Sequence, residues 1–189
     1  RAAGLLGAVP LVANSPHPES DYWSAPNLLL DELAPHLQWA TLIITHWHGD
    51  VHQSHRAISQ AVEIGTRPFR MRRRVLQCEV PSSSDQSFMR AFMPNLFVPV
   101  QAEDAQRKLA AVDCYPHEAA PGRNPASLQR WLQVRGEQVG SELAEAFTGQ
   151  KLIARTFTER VAAISTWTRL SATPVVSIDG VEGAGGALP

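Results

Sequence analysis

Apolar and polar positions along this chain fall into blocks that read alternately as helix and strand. Residues 1–7, Arg-Ala-Ala-Gly-Leu-Leu-Gly, read as the last turns of a helix stopped at Gly7. Residues 8–13 predict a short strand, and 14–26, rich in Pro, Ser and Asn, a loop. Leu28, Leu29, Leu33 and Leu37 lie near helical spacing and predict an amphipathic helix over 27–37. A compact apolar run predicts a buried strand at 41–45. Ala57, Ile58, Ala61 and Val62 predict the inner face of a helix over 50–64, with Gly65 just past its end. Strands are expected at 75–80 and 96–100, helices at 102–114 and 127–147, and a last strand from 151 to 157. Polar or Pro-containing loops separate them at 82–87 and 115–124. Strands alternating with helices imply parallel βαβ units. From residue 158 the pattern dissolves into a Gly/Ala-rich end. The expected organisation is an α/β domain over 1–157 and a C-terminal extension over 158–189, part of it flexible.

Composition narrows the class. The 189 residues suffice for one domain with a sizeable core. At 44% hydrophobic and 19% charged, the chain is ordinary for a globular protein. A formal net charge of -1 gives no global pull toward nucleic acid or anionic membrane. No apolar stretch approaches the roughly 20 residues of a membrane span, and the N-terminus lacks the pattern of a signal peptide. Cys78 and Cys114 are too few for a disulfide framework and suit a reducing, cytoplasmic compartment.

The chemistry concentrates in Thr41-Leu-Ile-Ile-Thr-His-Trp-His-Gly-Asp-Val-His-Gln-Ser-His-Arg56. Four of the chain's seven histidines fall within ten residues. Imidazole and carboxylate bind zinc and move protons near neutral pH. A strand that delivers them from its C-terminal end is how open α/β sheets place their sites. On a helix, His52 and His55 share a face at about 5–6 Å. One can bind a metal while the other meets the substrate, and the helix N-terminus favours a bound anion. Asp50 can cap the helix, the expected local role, or orient an imidazole, and it stands with His52 as a candidate catalytic residue. His46 follows the strand directly and Trp47 sits beside it, both candidates to touch substrate. Arg56 is expected to pair with a carboxylate or to contact substrate. A metal-dependent hydrolase is the reading these residues favour.

The order and spacing of these residues resemble the PIG-L/LmbE-like family of zinc-dependent N-acetylglucosaminyl deacetylases. The resemblance rests on Ile44-Thr45-His46 and Asp50-Val-His52-Gln-Ser54-His55-Arg56. It extends to Pro94-Asn95-Leu96-Phe97-Val98, to Lys108 with Ala111 and Tyr115, and to Arg135-Gly136, Gly140 and Ala144-Glu145-Ala146-Phe147, covering roughly residues 1–157. It implies a Rossmann-like three-layer α/β sandwich with a mostly parallel sheet. It also implies Zn2+ as cofactor, His55 as zinc ligand, and His52 as the group that stabilises the oxyanion or protonates the leaving amine. The implied substrate is a small amino sugar or its conjugate, which loses its N-acetyl group. A homo-oligomer is entertained as the assembly.

Two departures qualify the match. The family's first motif, His-Pro-Asp-Asp-Glu, supplies two ligands and a base. The nearest counterpart here, His17-Pro18-Glu19-Ser20-Asp21, has Ser20 at the ligand position and lies too close to His52. One histidine falls short of the three protein ligands of a catalytic zinc. The expectation is therefore a domain missing its first strand, helix and metal motif, or a catalytically inactive relative that binds a sugar or partner. Ser54 also stands where the family carries Asp, removing an orienting carboxylate. A further alternative is a metallo-β-lactamase-type hydrolase. Its His-x-His-x-Asp-His run resembles His46-Trp47-His48-Gly49-Asp50, with Val51 in place of the closing His. The arginines from Arg67 to Arg74 read as a solvated connector into an edge strand.

Overall fold

The computed structural model describes residues 1–9, 17–67, 73–88 and 90–151. The chain divides into two compact units, 1–153 and 154–189. The expected C-terminal extension, the strand at 8–13 beyond residue 9, and the strand from 151 beyond Lys151 lie outside the described residues. Among those residues no helix is long and apolar enough to cross a membrane.

The helices are α1 (Ala2–Leu5), α2 (Glu19–Ser24), α3 (Pro26–Trp39), α4 (Gln53–Gly65), α5 (Ala102–Val112) and α6 (Pro125–Glu137). The strands are β1 (Leu42–His46), β2 (Arg74–Cys78), β3 (Leu96–Pro99) and β4 (Ala144–Lys151), in sheet order β1-β2-β4-β3. The expected α/β class holds. β1 and β2 run parallel with Thr45 opposite Gln77, joined by α4 as a βαβ unit. β4 is antiparallel to both β2 and β3. Parallel alternation therefore describes the β1–α4–β2 part, and antiparallel pairing the rest.

Two elements depart from the sequence reading. Residues 19–24, expected as loop, form α2, which docks through the buried Tyr22 by a 2.5 Å hydrogen bond from its hydroxyl to Glu32 Oε1. The expected long helix 127–147 is a helix and a strand. α6 stops at Glu137, the chain turns through Gly140 at φ 70°, and Ala144-Glu-Ala-Phe147 enters the sheet. Those four are mostly good helix formers, but pairing on both sides within the sheet overrides a weak local preference.

α3 packs along α4, and α4 rests on β1, burying Leu37, Ile43, Val62 and Val75 together. Burying aliphatic side chains of this kind contributes about 1.5–3 kcal/mol each before entropy is subtracted. α5 and α6 pack together, and α6 lies on β4, burying Ala105, Leu132 and Leu143. Arg135 of α6 ties down the chain just after β2 with a bidentate pair to Glu79, Nε–Oε1 2.7 Å and Nη2–Oε2 2.5 Å. The motif residues Lys108 and Glu145 form an ion pair. Asn95 Oδ1 accepts the Gly149 N–H at 2.7 Å, fastening the entry of β3 to β4.

Candidate functional site

β1 ends at His46, and the turn 47–52 leads straight into α4, so the histidines gather at the carboxyl end of the strand. This turn depends on Gly49: a Cβ there would lie 2.4 Å from the Trp47 ring. Trp47 is only 4% exposed and packs edge-on against Phe92, beside Ala146 and Phe97. Its surface is occupied by the core on the described side, so the candidate substrate contact is here a packing residue.

Asp50 organises the site. Its carboxylate is wholly buried. Oδ1 accepts the His52 backbone N–H at 2.8 Å, while Oδ2 accepts the hydroxyls of Ser83 at 2.9 Å and Ser84 at 2.7 Å. Oδ1 also lies 3.3 Å from His55 Nδ1. Burial alone would push this carboxyl upward; the His52 N–H and the Ser84 and Ser83 hydroxyls outweigh it and hold the acid below its ordinary range. Capping was the expected role of Asp50, but His52 occupies the N-cap position. Asp50 instead closes the turn before the helix and faces His55. Ser83 and Ser84 escaped the sequence reading because they lie 33 and 34 residues from Asp50. The Ser82-Ser83-Ser84 run was the only local signal.

Three imidazoles stack. The His55 ring lies between His46, at 4.0 Å and 10°, and His52, at 4.5 Å and 26°. The His46 pKa is lowered to about 4, by burial first and then by the neighbouring His55 and His52, with Asp50 partly opposing them. Among the described residues, Nδ1 of His46 and Nδ1 of His52 are buried without a hydrogen-bond partner. His48 turns away: it is exposed, and its Nδ1 meets Gln77 Oε1 at 2.8 Å. Arg56 is exposed on the first turn of α4 and makes no ion pair with a described carboxylate. Ser54, at the position of the family's Asp, accepts the Trp23 Nε1–H at 2.9 Å. Trp23 of α2, 46% exposed, is thus tied to the first turn of α4, between His52 and His55 in sequence, a placement invisible before α2 folds onto α4.

The fit to zinc is incomplete. Two orphaned imidazole nitrogens and an imidazole backed by a carboxylate are suitable donors. Stacking sets the rings side by side, however, and among the described residues no three His, Cys, Asp or Glu groups are arranged to hold one ion. That holds equally for His46, His48 and Asp50, the set that a metallo-β-lactamase-type centre would use.

A cleft of about 330 Å3 adjoins the site between α4 and the sheet, lined in part by Thr45 and His48. It does not include His46, Asp50, His52 or His55.

No family model matches this chain, and no curated protein does either. Solved structures that share its fold include two deacetylases. The zinc-inhibited form of the teicoplanin deacetylase Orf2 aligns with TM-score 0.53 at 16% identity, covering 72% of this chain and 55% of that one. The A40926 pseudoaglycone deacetylase Dbv21 aligns with TM-score 0.53 at 15% identity, covering 82% of this chain and 69% of that one. This chain therefore spans little more than half the length of the first.

Proposed function

We propose that this chain carries the histidine-bearing part of an N-deacetylase, a hydrolase that removes the acetyl group from an N-acetylglucosamine-type sugar or its conjugate. The observation that carries the reading is the buried Asp50 carboxylate set against His55 Nδ1. It fixes the ring and leaves Nε2 as the nitrogen free to act, the arrangement by which proteins orient a ligand or proton-transferring imidazole. The shared fold with two deacetylases supports the reaction class. In this reading His52, next in the stack, stabilises the oxyanion or protonates the departing amine. Asp50 is a positioning residue, His46 and Arg56 border the substrate, and Trp47 backs the turn from within. Zn2+ is the cofactor implied by the motif resemblance. The described donors fall short of a zinc site, so the steps assigned to this chain are confined to its own imidazoles.

Acetate release from an N-acetylglucosaminyl conjugate, assayed with added zinc, tests the reading. Wild type should turn over, and His55→Ala and His52→Ala should each lose about 100-fold or more. Equal rates in all three proteins refute the roles. A wild type that binds the conjugate without releasing acetate, with binding weakened by His55→Ala, establishes the inactive relative instead.

A further inference from the structure

The cleft beneath α4 holds unspent hydrogen-bonding capacity in a buried setting. Thr45, Ser59, Thr66 and Gln77 all line it and are each more than nine-tenths buried. Thr45 Oγ1 has no hydrogen-bond partner among the described residues. Gln77 is clamped: Oε1 accepts from Gln150 Nε2 at 3.2 Å and meets His48 Nδ1 at 2.8 Å, and Nε2 donates to Ser59 Oγ at 2.8 Å. That leaves the Ser59 O–H and the second Gln77 N–H able to donate, and Thr45 able to do both. A buried polar group without a partner costs about 1–3 kcal/mol, so a ligand that satisfies several gains accordingly.

Charge and shape narrow the ligand class. The one ammonium in the lining, Lys151, gives two of its three N–H groups to Thr66, to O at 2.7 Å and Oγ1 at 3.2 Å. Glu63 supplies a carboxylate in the same lining, so the cleft does not select an anion. Val62 and Val75 provide an apolar wall. Fixed hydroxyl and amide groups around an apolar patch match a ring with hydroxyls on its edge and C–H bonds on its face. The volume lies at the small end of ligand pockets.

The geometry points to a binding site for a neutral, hydroxylated ring of monosaccharide size in this cleft, separate from the histidine stack and independent of the hydrolase reading. Ligand-observed NMR with methyl β-glucoside, which carries the hydroxylated ring without the acetamide of the proposed substrate, tests it on the full chain. Wild type should bind. Thr45→Val, which keeps the shape and removes the hydroxyl, should weaken binding about fivefold or more, and Ser59→Ala should act in the same direction if Thr45→Val does not fold. No binding by wild type, or full binding by both folded cleft variants, overturns the site. Binding lost in His55→Ala but kept in Thr45→Val also overturns it and places the sugar at the histidines. Preference for inorganic phosphate over the sugar refutes the neutral ligand class.

Discussion

Asp50 Oδ1 and His55 Nδ1 stand 3.3 Å apart across the start of α4, the carboxylate wholly buried and the imidazole 19% exposed. The pair joins stability to chemistry, because the acid that aims the ring also accepts three hydrogen bonds that hold the turn and the Ser83–Ser84 segment together. Asp50→Ala strands those donors in the interior. We expect a loss on the order of 3 kcal/mol, read by urea unfolding. Asp50→Asn should lose less stability yet still release the ring, seen as a changed His55 tautomer in 15N NMR spectra. Unchanged tautomer populations in Asp50→Asn would contradict the orienting role.

Metal retention should be weak. One oriented imidazole is short of the three ligands of a catalytic zinc. After dialysis against zinc-free buffer, elemental analysis should find well under one equivalent per chain. A full equivalent, lost in His55→Ala, would mean that donors beyond the described residues complete the centre.

Arg135 and Glu79 form a buried bidentate pair, and the hydrogen bonds to Glu79 raise the guanidinium's pKa further, so it stays charged. Glu79→Ala leaves that charge without its partner, with an expected cost of about 3–5 kcal/mol in chemical denaturation. Arg135→Lys cannot reproduce the two-pronged contact or its stacking over Trp131 at 5.2 Å. A lysine variant as stable as wild type would show that charge alone matters.

Tyr22 anchors α2 by donating to Glu32, and its pKa rises from 10.0 to about 12, through burial first and then this hydrogen bond. The folded chain keeps a proton that the unfolded chain releases. The contribution is therefore complete below pH 10 and fades as the pH rises toward 12. Tyr22→Phe should be less stable than wild type at pH 8, with the gap closing over that window in unfolding titrations. A gap independent of pH would assign the effect to packing.

Legibility followed sequence distance. β1, α4 and the gathering of His46, Asp50, His52 and His55 could be read directly, since hydrophobic period and turn residues act within a few positions. The same local logic failed at Ala144–Phe147, where good helix formers become a strand because β2 and β3 flank them. It also misjudged Asp50, whose position suits a cap while its partners lie more than thirty residues away. Trp47 and Trp23 were also placed by contacts that short-range pattern does not record. Adjacency in sequence suggested the first, but burial against Phe92 claimed it, and the packing of α2 brought the second to Ser54.

The sequence by itself determined that an apolar strand passes into a histidine-rich helix start within an α/β chain, because side-chain period and residue chemistry are properties of short segments. Only the tertiary structure decided which imidazole a carboxylate holds, that the rings stack rather than converge, and that a polar cleft opens under α4. Those outcomes depend on groups brought together by burial and strand pairing, and short-range pattern carries no record of them.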